Sequence, residues 1–215
     1  VGLYEALDAS REGDIAATAM PEDLRQSGSH RTRAELDCVI LTELGNIIEK
    51  LDIQGRRPAL LLPVRFETLA NSYFRSKYAR LLATLPNYTD RHLILNVQDV
   101  PDGVPNSRYR QILGALRQLV LGFAFEVDIR WKDFAAINDL PVFAISLVGH
   151  ERLDLGQISA LFTAAKEQGL KCIWRSLDND ELARAAFKMQ VDYVSGPIFG
   201  SAQNAPAKPF SLPEK

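Results

Sequence analysis

Short apolar runs and amphipathic helical stretches alternate along this chain about seven times, and that rhythm restricts the fold more than any single motif. Pro58 to Val64 is an uninterrupted apolar run, the pattern of a strand covered on both faces. Further strands are predicted over Arg91–Val97, Phe123–Ile129, Pro141–Val148, Leu170–Trp174 and Val191–Phe199, the last breaking at Gly196-Pro197. Between them lie helical segments. Ala34 to Leu51 repeats Leu36, Val39, Ile40, Leu44, Ile47, Ile48 and Leu51 near the helical period. Phe66–Leu85 follows as one helix, and Ser107 is expected to cap another that packs through Ile112, Leu113, Leu116, Leu119 and Val120. Lys132–Asn138, Gln157–Gln168 (stopped by Gly169) and Asn179–Lys188 complete the series.

Strand–helix alternation of this kind predicts a parallel α/β sheet, either closed as a (β/α)8 barrel of the TIM type or open and doubly wound. A dinucleotide-binding open sheet carries a glycine-rich turn after its first strand, and the chain has no G-x-G-x-x-G or Walker-type loop. The barrel is therefore preferred. Its 215 residues fall short of the roughly 250 of a complete barrel, so the first strand is expected to be missing or compressed. Residues 1–200 read as one barrel unit and 201–215, rich in Ala, Pro, Ser and Lys, as a flexible tail. A first residue of Val, almost inside an apolar run, suggests more chain upstream.

A net charge of −2 provides no general attraction to nucleic-acid polymers or anionic membranes. No apolar run reaches the roughly 18–20 residues of a membrane span, and the first residues given are not expected to act as a signal peptide. Cys38 and Cys172 lie far apart in apolar runs and read as buried reduced thiols, which fits a cytoplasmic setting. His30, His92 and His150 share no ligand spacing, and no serine has a G-x-S-x-G context. Arg75, Lys77 and Arg80 are interleaved with Tyr73, Phe74 and Tyr78, the pattern of a solvated helix face with an apolar reverse.

Gly2 to Leu7, Leu62 to Phe66, Leu93 to Val97, Gly122 to Leu140, Leu140 to Leu147 and Val191 to Phe199, taken in this order, resemble the EAL domain, the barrel of bacterial cyclic-di-GMP phosphodiesterases. Gly2-Leu3-Tyr4-Glu5-Ala6-Leu7 resembles the signature strand, with Glu-Ala-Leu intact. Leu62 to Phe66 and Leu93 to Val97 are similar to the next two strand ends. Gly122 to Leu140 parallels the segment bearing the family's Asp-Asp-Phe-Gly, with Asp128 on the first Asp. Leu140 to Leu147 resembles the strand that bears the catalytic Lys, and Val191 to Phe199 the closing Asp-Tyr-x-Gln-Gly-x-x-Phe.

In that family carboxylates and an Asn hold two divalent cations that activate water, with a Lys assisting. On this alignment only Glu5 and Asp128 survive. Arg65 stands at the Asn position, Asn96 at a Glu, Ile129 at the second Asp, Ser146 at the Lys and Val148 at the Asp after it. Arg175 stands at another Glu, Ser195 at the closing Gln, and Ala9 at the Arg that grips substrate phosphate. Arg offers no lone pair and stays protonated, so it repels a cation instead of ligating it. Glu5 and Asp128 are accordingly expected to be neutralised by Arg65 and Arg175, with Trp174 partly filling the old pocket.

The resemblance thus implies a non-catalytic signalling module with no catalytic residues, no metal and no cofactor, acting through protein partners; it also implies dimerisation through helices flanking the barrel. Glu5, Arg65, Asn96, Asp128, Arg175 and Ser195 are its vestigial or ligand-binding candidates. Arg65 and Arg175 at strand ends suit either a phosphate-bearing ligand or ion pairs to Glu5, Asp128 or Asp178. Two alternatives stay open: a cyclic-di-GMP or other nucleotide sensor without hydrolysis, and an enzyme of different chemistry with Glu5 and Asp128 as acid and base.

Overall fold

The computed structural model describes residues 3–5, 30–53, 59–86, 89–149 and 154–200. They form one parallel sheet of seven strands in sequential order: β1 (Leu3–Glu5), β2 (Ala59–Arg65), β3 (Leu93–Gln98), β4 (Gly122–Glu126), β5 (Val142–Val148), β6 (Lys171–Arg175) and β7 (Tyr193–Val194). A doubly wound sheet reverses its strand order at a switch point. This one never does, so its crossovers leave the helices on one face while the other face curls onto itself, as in a (β/α) barrel. The helices are α1 (His30–Ile53), α2 (Phe66–Ala70), α3 (Ser72–Ala83), α4 (Asn106–Gly114), α5 (Phe134–Ile137), α6 (Leu155–Glu167) and α7 (Asp180–Lys188).

Strand alternation sorts the core into two layers. Facing the helices, Leu60, Leu62, Val64, Leu95, Val97, Phe123, Phe125, Ile145, Leu147, Cys172 and Trp174 merge with buried residues of α1, α3, α4 and α6 into the larger cluster. The opposite face carries a smaller set, Leu61, Ile94, Ala124, Ala144 and Ile173. Two alanines among five residues suit a concave inner wall, where side chains converge and space is short.

Local chemistry moves several boundaries from the sequence reading. The helix expected over Phe66–Leu85 is two, because Asn71 adopts an extended conformation and its Oδ1 accepts from Tyr73 N and Phe74 N, which starts α3 afresh. Ser107 does not cap α4: extended Pro105 holds that place, and Ser107 lies inside the first turn. β4 ends at Glu126, three residues early, because Asp128 Oδ1 accepts from Arg130 N at 2.9 Å and turns the chain. The last strand shortens to two residues. Beyond it Gly196 has φ +145°, and a Cβ there would sit 2.2 Å from the Leu177 backbone, so the approach of these segments requires glycine. Asn179 caps α7 by accepting from Leu182 N at 2.9 Å. Both cysteines are buried and free, and burial pushes Cys172 up to about 11. On α3, Phe74 and Tyr78 are buried while Tyr73, Lys77 and Arg80 face solvent, the two-sided helix that the sequence pattern describes.

Candidate functional site

Parity along the strands decides which polar side chains reach the inner face. Register pairs Leu61 with Ile94, Pro63 with Asn96, and Arg65 with Gln98; Asn96 lies opposite Ala124, Glu126 opposite Ser146, and Ser146 opposite Ile173. Above the apolar floor of Leu61, Ile94, Ala124, Ala144 and Ile173, toward the C-terminal strand ends, the same face therefore turns polar. Asn96, Gln98, Glu126, Ser146 and Arg175 form a cup at the end where barrel enzymes place their sites.

Glu126 is the hub of this cup. Arg175 Nη1 donates to Glu126 Oε2, and both side chains are about nine-tenths buried. Gln98 Nε2 donates to the same oxygen at 3.0 Å, and Asn96 Nδ2 lies 3.4 Å from it. Arg175 and Glu126 stand on β6 and β4, so the guanidinium spans β5, a reach that fits a sheet curled inward. Asn96 and Ser146 are also buried, and Asn96 Oδ1 and Ser146 Oγ make no hydrogen bond.

Arg65 ends β2 at the same level but joins a different network. Its Nη1 donates to Asp37 Oδ1 at 2.6 Å and its backbone N to Asp37 Oδ2 at 3.1 Å, while Thr68 Oγ1 also donates to Oδ2. Asp37, near the start of α1, is 2% exposed, so three donors converge on a carboxylate shielded from water. α1 runs back along the sheet to β2, which puts its first turns beside the C-terminal end of that strand.

Among the described residues, two carboxylates other than the expected ones meet the strand-end arginines, while the Glu5 side chain lies outside the described residues. Arg65 pairs with Asp37 and Arg175 with Glu126, because each arginine meets a carboxylate carried by a packed neighbouring element. Asp128 lies beyond the strand end, its side chain 59% exposed, and pairs with Arg130 at 3.1 Å. The backbone hydrogen bond from Arg130, then its side-chain bond, holds the Asp128 carboxyl below the usual carboxylate range, which suits a standing anion and not a proton donor. Asp178 accepts from the neighbouring Asn179. Trp174 does not fill the pocket: one residue out of phase with Ile173 and Arg175, it is fully buried on the helix side, 6.0 Å edge-on to Phe162. Ser195 contributes main-chain bonds, its N to Trp174 O at 3.1 Å and its carbonyl to Leu177 N at 2.9 Å. The backbone of Glu5 pairs with β2, whereas its side chain, Ala9 and residues 201–215 lie outside the described residues.

Sequence reasoning passed over Glu126, Gln98 and Asp37. The signals were present. Asn96 and Gln98 recur at a spacing of two, as do Ala124 and Glu126, and Asp37 falls on the buried stripe of Leu41, Leu44 and Ile48.

A resident pair of divalent cations requires several anionic oxygens. Among the described residues the strand-end donors are two guanidinium groups, two amides, a hydroxyl and one carboxylate already bound to a guanidinium, and no three His, Cys, Asp or Glu gather. That set does not fit a metal pair. No helix among the described residues is long and apolar enough to cross a membrane.

A sequential parallel sheet with a polar cup at its C-terminal face defines a (β/α)-barrel protein. No protein-family model and no curated protein matches the chain. Solved structures do, and they identify the barrel as EAL-like. It superposes on an EAL domain protein from Listeria monocytogenes EGD-e with a TM-score of 0.58 and 15% identity, covering 78% of this chain and 68% of that one. The Xanthomonas citri FimX EAL domain in complex with c-diGMP gives 0.62 and 15%, covering 79% and 70%. The EAL enzyme Bd1971 in its cAMP- and cyclic-di-GMP-bound form gives 0.59 and 13%, covering 78% of this chain but only 48% of the other, so the chain spans about half of that protein.

Proposed function

We propose that this chain is a non-catalytic EAL-like module that works by protein contact or regulation in cyclic-di-GMP-related signalling. The observation that carries the reading is the Glu126–Arg175 bridge with its Gln98 and Asn96 donors, which ties the cup's carboxylate to neighbouring side chains. A phosphodiesterase of this architecture needs its strand ends free to hold cations and activate water. Here a fixed positive group stands in that space, and the second strand-end arginine is tied to Asp37. The fold of FimX and Bd1971 supports the signalling context.

The test is direct. Purified protein with Mg²⁺ or Mn²⁺ should leave cyclic-di-GMP uncut over hours, and calorimetry with that dinucleotide should give no binding heat at high micromolar ligand. Linear product would overturn the reading. Binding heat without product would replace it by the sensor reading.

A further inference from the structure

On the outer surface α3 and α4 are neighbours, because β2, β3 and β4 follow one another in the sheet, and they carry a charge unlike the rest of the chain. No Asp or Glu occurs between Glu67 and Asp90 or between Asp102 and Glu126, and those two stretches hold Arg75, Lys77, Arg80, Arg108, Arg110 and Arg117. The whole chain is at −2, so the remainder is acidic and the basic face is local. Where α3 meets α4, two guanidiniums converge. Arg75 Nη1 donates to Leu69 O at 2.7 Å and to Ala70 O at 3.3 Å, and Arg108 Nη2 donates to Ala70 O at 2.8 Å. Gln111 Oε1 takes Arg108 Nη1 at 2.6 Å. Among the described residues Nε and Nη2 of Arg75 and Nε of Arg108 meet no acceptor, and neither arginine makes an ion pair. Two like charges held at one carbonyl repel, and an oxyanion that accepts from both relieves that repulsion. Tyr73, 69% exposed and edge-on to Phe74 at 5.1 Å, lines an open groove along α3 with Ser72, Ser76, Lys77 and Arg80. Arg and Tyr together are the residue types that anchor protein interfaces.

We infer that this face docks an acidic segment of a partner protein, one carboxylate bridging Arg75 and Arg108 while Tyr73 packs against the segment's apolar part. The inference rests on the protein-contact reading above and deepens it by naming the surface and the partner's chemistry. Size and surroundings select a short acidic segment over an extended polyanion. At 1.5 Å per residue α3 is only about 18 Å long. Its other flank packs on α1, which has more acidic than basic residues, so a nucleic-acid strand or a membrane laid across α3 meets negative charge there.

The experiment follows the fluorescence anisotropy of a labelled peptide of repeated Glu-Glu-Leu units added to the full chain. Wild type should bind it, more weakly as salt rises. Arg75→Glu/Arg108→Glu should weaken binding at least about tenfold. Lys77→Glu/Arg80→Glu, on the solvent side of the same helix, serves if the first variant does not fold, with an expected loss of about threefold or more. Arg184→Glu/Lys188→Glu makes the same charge change on α7 and should leave affinity within about twofold at physiological salt, where charges are screened beyond about 8 Å. No peptide binding by wild type, or an equal loss in the α7 variant, overturns the inference and leaves the proposed function standing. Tighter binding of an oligothymidine of equal charge, or of phosphatidylcholine vesicles containing about 30% phosphatidylserine, overturns it in favour of a nucleic-acid or membrane surface. Linear product from cyclic-di-GMP in the same preparation overturns instead the reading on which the inference rests.

Discussion

Arg65 and Arg175 each end a strand, each is 7% exposed, and each sits where the EAL resemblance would place a metal ligand, yet they hold different parts of the molecule together. Arg65 fastens β2 to α1 through Asp37, a contact between the sheet and its helical coat. Arg175 fastens β6 to β4 through Glu126, a contact within the inner wall. The residue type is the same, and the accessible partner differs. Among the described residues each carboxylate receives three donors, but those of Asp37 include the Arg65 main chain, and Asp37 is more completely shielded than Glu126, whose side chain is 10% exposed. The Asp37 knot should therefore bear more of the fold's stability, and the Glu126 cup more of its chemistry.

The sharpest way to break this contrast is Asp37→Ala. It removes a carboxylate partner from Arg65 in a dry site, and equilibrium urea unfolding should show a loss of about 3–5 kcal/mol, the usual result of removing one partner of a buried pair. An Asp37→Leu/Arg65→Met double variant should recover much of that loss. Glu126→Gln should cost less, about 1.5–3 kcal/mol by the same measurement, because the amide oxygen still accepts from Arg175. A greater loss at Glu126 than at Asp37 would reverse the ranking.

Partly exposed pairs extend the comparison downward. Asp192 accepts from Lys171 Nζ and from Cys172 N, both at 2.8 Å, latching the approach to β7 onto β6. Partial burial pushes the Asp192 carboxyl up, but the Lys171 and Cys172 hydrogen bonds outweigh it and leave the group below its ordinary value of 3.8. A depressed carboxyl stabilises above its unfolded pKa and loses that contribution as pH falls through the folded one. The stability difference between wild type and Asp192→Asn should thus be at most about 1 kcal/mol at neutral pH and vanish in strong acid, as urea titrations across pH would record. Smallest of all, Arg130→Ala at the exposed Asp128 pair should shift stability by less than about 0.5 kcal/mol, and added salt should erase even that.

Much of the architecture could be read from residue order. The apolar run ending at Val64, the helix expected over Asn179–Lys188 and the Gly169 stop each rest on local chemistry that no distant contact contradicts. Boundaries failed where a side chain competed with the backbone pattern, at Asn71 and Asp128, whose oxygens turn the chain within two or three residues. Site residues were harder. Arg65, Asn96 and Arg175 were found because the EAL resemblance set them at strand ends, whereas Trp174 was assigned to the wrong face by one step of strand parity.

By itself the sequence determined the alternation of strand and helix, the parallel sheet that follows from it, and the presence of arginines at two strand ends. Those depend on periodicity and chain order, which are written locally. Only the tertiary structure decided which carboxylate each arginine meets. Asp37 is 28 residues from Arg65, and Glu126 is 49 from Arg175. Such pairs exist only after the strands have taken their register and the sheet has curled, because Coulombic and hydrogen-bond partners are chosen by distance in space.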